Sequence, residues 1–222
     1  MQFNEEVCRF EAIFMEKKHI ITLSGKPGSG KSSTADRVAE LLGYTRYSAG
    51  DLVRIMVRQH KTTLHEFNEK ALHDHSLDHG IDAELRNLRE HKDIVIDSRL
   101  GFYWIPESFK VYLDLDDDVA TARIFKDAVN NELRDYGDGG SGSLSDVQRM
   151  VHQRLENEKH RFKTLYGVNP YSHANFDLII NTSRHSPQTV ALTVFDTYKK
   201  WLQSEEWEQV VSEVPMGYSF KN

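Results

Sequence analysis

Eight consecutive residues constrain this chain more than any others: Gly25-Lys26-Pro27-Gly28-Ser29-Gly30-Lys31-Ser32 fits the spacing G-x-x-x-x-G-K-[ST]. They follow a short apolar run, Ile20-Ile21-Thr22-Leu23, and precede a helical pattern over 31–42 that Gly43 stops. The order strand, glycine loop, helix is the context that makes this pattern a phosphate-binding loop. Glycines are needed because backbone N–H groups must turn inward around phosphate oxygens, where a Cβ would clash. The helix adds its positive N-terminal end. Lys31 is expected to reach the β- and γ-phosphates, and the Ser32 hydroxyl to ligate Mg²⁺; Ser33 counts with the loop as ATP-binding. The motif predicts a nucleoside triphosphate site and leaves the acceptor open.

The remaining pattern alternates apolar, β-rich runs with helical stretches, as a parallel α/β sheet does. Strands are expected at 44–47, 94–96, 111–113 and 178–180, the second and third of these ending in Asp97 and Asp114. Helices are expected at 52–60, about 63–74, 82–89, 118 to about 133, 145–166 with Ser145 as cap, and from Pro187 to about 202. Tyr136 to Ser143 is Gly/Ser-rich and reads as a flexible loop. There is no internal repeat, and 222 residues suit one domain at roughly 150 residues each. The expected division is an N-terminal extension at 1–18, a domain at 19–203 and a tail at 204–222 without an interpretable motif.

A hydrophobic share of 39 % is adequate for a core, and no run approaches the ~20 apolar residues of a membrane span. The first residues are acidic and lack a secretory pattern, and a single cysteine, Cys8, allows no internal disulfide. Together these point to a cytoplasmic protein, expected as a monomer, with no membrane partner. A net charge of −6 argues against bulk nucleic-acid binding.

Downstream of the loop the sequence resembles nucleoside monophosphate kinases, specifically the archaeal-type cytidylate kinases. The likeness rests on Tyr47-Ser48-Ala49-Gly50-Asp51-Leu52-Val53-Arg54, on Thr63 to Phe67 with Ile81-Asp82, and on Ile94-Val95-Ile96-Asp97-Ser98-Arg99-Leu100. It continues through Arg154 to Arg161, which fits R-x-x-x-[DE]-x-x-R, then Tyr166-Gly167-Val168 and Phe176 to Ser183. In order, it spans about His19 to Leu202. The resemblance implies a P-loop NTPase fold, a three-layer α/β/α sandwich on a parallel sheet. It also implies a short helical acceptor-binding insertion at about 51–92 and a lid at about 126–155. The implied activity is phosphoryl transfer from ATP, with Mg²⁺, to CMP or dCMP. Ser48, Gly50, Asp51 and Glu158 become acceptor-binding residues by the same resemblance, and Arg123 a lid-proximal arginine.

Physical chemistry supports several of these assignments. Arg154, Glu158 and Arg161 stand at i, i+4 and i+7, on one helical face, where two arginines can close over phosphates. Asp97, ending an apolar strand, can hold a water on Mg²⁺ in the manner of a Walker-B acid. Arg54 and Arg99 offer guanidinium forks for the acceptor phosphate. Ser98 stands where the family has glycine, and Phe102-Tyr103-Trp104 is unusually aromatic, filling a core or stacking on a base. Asp82 and Arg86 are candidates for base recognition, and Arg134 is a second lid candidate. His73-Asp74-His75 with Asp78 and His79 reads as a solvated turn, since its spacing suits no common helical metal site. Two alternatives stay open: another nucleotide or small molecule as acceptor, or a nucleotide-dependent assembly factor.

Overall fold

Apolar runs four to six residues long, buried on both faces, have one stable use in such an alternating chain: strands of a parallel sheet covered by helices on either side. The computed structural model describes residues 17–59, 66, 74, 76–130 and 143–212. Among these, six parallel strands form one sheet in the order β2-β3-β1-β4-β5-β6. They are β1 (Ile20–Gly25), β2 (Thr45–Ser48), β3 (Ile94–Asp97), β4 (Phe109–Asp114), β5 (Leu178–Asn181) and β6 (Val210–Ser212). The described helices are α1 (Lys31–Leu42), α2 (Ala49–Gln59), α3 (Ser76–Leu88), α4 (Gly101–Trp104), α5 (Asp117–Asn130), α6 (Leu144–Tyr166) and α7 (Pro187–Gln203).

Period-two alternation divides the strand residues between two cores. Ile21, Leu23, Val95, Val111 and Ile180 meet Val38 of α1 and Val190, Val194 and Tyr198 of α7 on one face. On the other face, Ile20, Ile94 and Ile96 pack on Leu85 and Leu88 of α3, while Tyr112 and Ile179 pack on Phe102 of α4 and Phe162 of α6. The result is the three-layer α/β/α sandwich of P-loop proteins.

Several boundaries move for local reasons. Helix α6 is capped by Ser143, not Ser145: the Ser143 hydroxyl accepts from the Asp146 N–H, and the Asp146 carboxylate accepts from the Ser143 N–H at 2.8 Å. This reciprocal pair satisfies two donors at once, which Ser145, already inside the first turn, cannot do. Helix α2 starts at Ala49, three residues before the expected 52, because the Ser48 hydroxyl accepts from the Asp51 N–H at 3.2 Å. Helix α3 likewise starts at Ser76 rather than 82. The segment after 203 is more than tail: Trp207 packs on the core, and β6 extends the sheet beside β5. Most of the expected 63–74 helix, Cys8, Arg134, His73, His75 and residues 136–142 of the Gly/Ser loop lie outside the described residues.

Gly25, where β1 ends, has φ of +147°, and a Cβ there would fall 2.2 Å from the Leu113 carbonyl oxygen of β4. Backbone cannot yield to that contact. Gly25→Ala should therefore cost about 4 kcal/mol or more, at the extreme of single substitutions. Thermal denaturation checks this; a Tm within 2 °C of the parent would contradict it.

Candidate functional site

Strand β1 lies between β3 and β4, so the chain leaving β1 and the chain leaving β3 part to opposite faces of the sheet. The loop from Gly25 and the helix α1 go to one side, and Ser98 to α4 to the other. Open α/β sheets bind ligands in the crevice at such a switch point. A cleft of about 820 Å³ opens here, lined by the phosphate loop and by Asp97, Arg99 and Arg154. It extends to Arg123, Thr182 and His185 at one end and to Arg54, Asp78 and Asp82 at the other.

The loop wraps the start of α1 through positive φ at Gly28 (77°) and Gly30 (81°). The Lys31 ammonium is buried inside it, donating to the carbonyls of Gly25 (3.0 Å) and Lys26 (2.8 Å). Burial, aided by the nearby Arg99 charge, pushes its pKa well below the usual lysine range. A polyphosphate would reverse that by adding negative charge. Lys26 points elsewhere, bonding Asp117 at 3.1 Å and Asp114 at 3.3 Å. Burial works against its charge, but these two carboxylates outweigh it and raise its pKa. Lys26 thus anchors the loop to the end of β4 rather than facing the cleft's centre. Arg123 of α5 donates to the carbonyls of Gly28 (3.3 Å) and Thr182 (2.7 Å), tying the loop to the turn after β5.

Ser32 and Asp97 meet, the Ser32 hydroxyl donating to Asp97 Oδ2 at 2.7 Å. Both are hard oxygen donors, and Mg²⁺ is usually held by one or two such side chains plus substrate phosphates. The pair fits that ion. Among the described residues, no group of three or more His, Cys, Asp or Glu side chains forms a protein-only metal cage. Ser32 and Asp97 would hold Mg²⁺, which when bound would supply positive charge to offset that of the phosphates.

Glu158 of α6 organises the arginines. Its Oε2 accepts from Arg99 Nε at 2.7 Å and its Oε1 from Arg154 Nε at 2.9 Å, and the Tyr171 hydroxyl also donates to it. Burial alone would raise its pKa, but Arg99 and Arg154 prevail and hold it far below the carboxylate range. Arg99 also donates to the Gly25 carbonyl at 3.0 Å, which fixes its fork beside the loop. The i,i+4 pair expected on α6 therefore forms in the cleft wall and not on a solvated face. Arg161, about two turns from Arg154 past Glu158, pairs with Asp78 of α3 at 3.6 Å. It lines the cleft on the side of Asp78 and Asp82.

At that end, Gly50 and Arg54 belong to α2, and Arg54 forms an ion pair with Asp51. Asp82 accepts from Trp104 Nε1 at 2.9 Å and from the Tyr166 hydroxyl, so it braces α3 against α4 and α6 before any ligand arrives. Arg86 lies outside the cleft, its guanidinium 4.0 Å from the Trp104 ring centroid, which removes it as a base contact. The aromatic triplet is core or surface: Phe102 packs on Phe176 at 4.9 Å, and none of Phe102, Tyr103 and Trp104 lines the cleft. Ser98 is accommodated because its hydroxyl turns back to accept from the Leu100 N–H at 3.2 Å. Close approach is provided instead by Gly101, where a Cβ would sit 3.0 Å from Thr22 Cγ2.

Arg46, which lines the cleft, and Tyr171, a partner of the cleft residue Glu158, are among the residues that escaped the sequence. Arg46 on β2 faces Asp36, Asp51 and Asp97. Tyr171 completes the Glu158 cluster. Neither lies in a motif; alternation along β2 could only have placed Arg46 on one face of the sheet.

Fold and cleft together define a class, the P-loop kinases. Among solved structures, the shikimate kinase of Acinetobacter baumannii in complex with shikimate superposes with a TM-score of 0.57 over 85 % of this chain and 97 % of that one. At 15 % identity that likeness is one of fold. Within the class, the chain belongs to the cytidylate kinase-like family, which matches residues 20–184. A cytidylate kinase of Halobacterium salinarum is 33 % identical over 180 residues, 80 % of this chain and 88 % of the relative. One from Desulfurococcus amylolyticus is 36 % identical over 165 residues, 73 % and 83 % of the respective chains. Among the described residues, no helix is long and apolar enough to cross a membrane.

Proposed function

We propose that this protein transfers the γ-phosphoryl group of ATP to a pyrimidine nucleoside monophosphate, with CMP and dCMP the preferred acceptors. The observation that carries the reading is the arrangement of charge around one cleft. A complete phosphate loop with Lys31, Ser32 and Asp97 shares one cleft with Arg123 and Thr182 and with Arg54 and Arg161. Arg99, bonded to the loop carbonyl of Gly25, meets Arg154 at Glu158 in the wall of that cleft. The relatives' name, cytidylate kinase, supports the choice of base.

An oxygen of the acceptor phosphate attacks the γ-phosphorus, the bond from that phosphorus to the bridging β–γ oxygen breaks, and ADP leaves. The attacking phosphate is already anionic at neutral pH, so no dedicated base is required. The chain's work is positioning and charge neutralisation. Lys31 offsets charge on the donor phosphates. Arg99, expected at the acceptor phosphate, is fixed beside the loop by the Gly25 carbonyl and in this reading faces the transferred group with Arg154. Arg161, expected to close over the phosphates with Arg154, pairs with Asp78 and in this reading joins Arg54 in orienting the acceptor beside Ser48, Gly50 and Asp51. In this reading the stretch at about 51–92 is the acceptor insertion, and the stretch at about 126–155 is the lid that excludes water. The site needs only one chain, which suits a cytoplasmic monomer.

Coupled detection of ADP release against CMP, dCMP, UMP, AMP and GMP tests the proposal. The two cytidine nucleotides should give a kcat/KM at least about tenfold above UMP, because the exocyclic amine and ring nitrogen of cytosine reverse the hydrogen-bonding pattern of uracil. UMP or AMP as best acceptor would overturn the base and leave the kinase. ADP release indifferent to every monophosphate and driven by a protein partner would favour an assembly factor.

A further inference from the structure

Arg46 has no part in the phosphate loop, the arginine cluster or the acceptor helix, yet it lies on the cleft wall among three carboxylates. Its Nε is 3.2 Å from Asp36 Oδ1 on α1, its Nη1 3.4 Å from Asp51 Oδ2 on α2, and its Nη2 3.5 Å from Asp97 Oδ2. That last oxygen is the one that accepts from the Ser32 hydroxyl. Asp97 is buried, 7 % exposed, and a carboxylate so placed needs a counter-charge. Lys31 does not bond to it, since its ammonium is spent on two loop carbonyls. The remaining grips on Arg46 are of another kind, because the Asp36 and Asp51 side chains are 59 % and 49 % exposed. The fork can release the buried carboxylate and keep two solvated partners.

We infer that Arg46 is a place-holding cation of the metal site. It balances Asp97 while no nucleotide is bound, keeps a divalent ion from settling there alone, and gives way when the ion arrives with the triphosphate. Arg46 is thus a positioning residue that makes metal binding depend on nucleotide. The inference rests on the reading of Ser32 and Asp97 as the metal pair. The reason for expecting such a device is electrostatic. Without Arg46, Asp97 would lose the guanidinium nearest its Oδ2, and Asp36 and Asp51 would add their charge to the same side. A hydrated divalent ion is the species such a field attracts most. A site occupied in advance by a free ion would also hold the loop in a state that the incoming metal–nucleotide complex must undo.

Mn²⁺, whose free and bound forms differ in their electron paramagnetic resonance signal, serves as the probe. Without nucleotide, the wild-type chain should bind Mn²⁺ at the Asp97-dependent site only at millimolar concentrations or above. Arg46→Met should bind one Mn²⁺ at least about tenfold more tightly, from the loss of one charge next to the site. That gain should vanish in Arg46→Met combined with Asp97→Asn. Arg46→Lys, which keeps the charge, should stay near wild type. An unchanged nucleotide-free affinity in Arg46→Met, or a gain that survives Asp97→Asn, would overturn the inference. So would micromolar, Asp97-dependent binding by the wild-type chain without nucleotide, a measurement independent of how any Arg46 variant folds. Failure of the underlying reading has a different signature: Mn²⁺ binding in the presence of ATP that ignores Asp97→Asn.

Discussion

Lys31→Ala should lower kcat by at least about 10²-fold, the scale of losing one charged contact to a transferring group in a dry site. The ammonium already points into the loop, held by the carbonyls of Gly25 and Lys26, so the contact to phosphate needs only a short shift. Activity within threefold of the parent would sink the site assignment. A pH effect accompanies it. Burial, with Arg99 second, depresses the Lys31 pKa below 10.5 in the nucleotide-free fold. Between the folded value and 10.5 the unfolded chain therefore binds more protons, and the Lys31 contribution to stability rises with pH across that window. A bound polyphosphate pulls the pKa back up. Nucleotide binding in that window should take up protons, and affinity should fall as pH rises. Calorimetry in buffers of different ionisation enthalpy measures the uptake, which Lys31→Ala should abolish.

Glu158→Gln should destabilise the nucleotide-free protein by about 3–5 kcal/mol, as breaking a buried ion pair does, because Arg99 and Arg154 would then face each other without a counter-charge. At this chain length that is a Tm loss on the order of 10 °C. ATP should restore more stability to the variant than to the parent, since its phosphates supply the missing negative charge. The sign of the acid response also follows. The Glu158 pKa is depressed in the fold, so its contribution is present above the ordinary carboxylate range and is lost as pH falls below it. The Tm gap between parent and variant should narrow in acid. A gap insensitive to both ATP and acid would show that Glu158 merely fills space.

Both experiments concern residues whose types were legible in the chain, while their partners were not. The phosphate loop could be read because its conformation is local: three glycines at positive φ, with a strand at its start and a helix after it. Helix α7 could be read for the same reason, with the Ser186 hydroxyl accepting from the Thr189 N–H and Pro187 at the first helical position. The cap of α6 was read as Ser145 from the sequence, and the reciprocal bond with Asp146 puts it at Ser143 instead.

Local pattern therefore determined five of the six described strands, most helix bodies, the loop with Lys31 and Ser32, and the shared face of Arg154, Glu158 and Arg161. The tertiary structure alone decided what those side chains meet. Arg99 reaches Glu158 across 59 residues, Tyr166 reaches Asp82 across 84, and Arg46 meets Asp97 across 51. Arg161 turns to Asp78 although its helical neighbour Arg154 turns to Glu158. Strand order is the physical reason. β3 pairs with both β1 and β2, so Asp97, Ser32 and Arg46 converge at one end of the sheet, and residue spacing along the chain carries no record of that pairing. The same holds for β6, a three-residue strand too short to announce itself, which exists because β5 offers it an edge and Trp207 anchors it to the core.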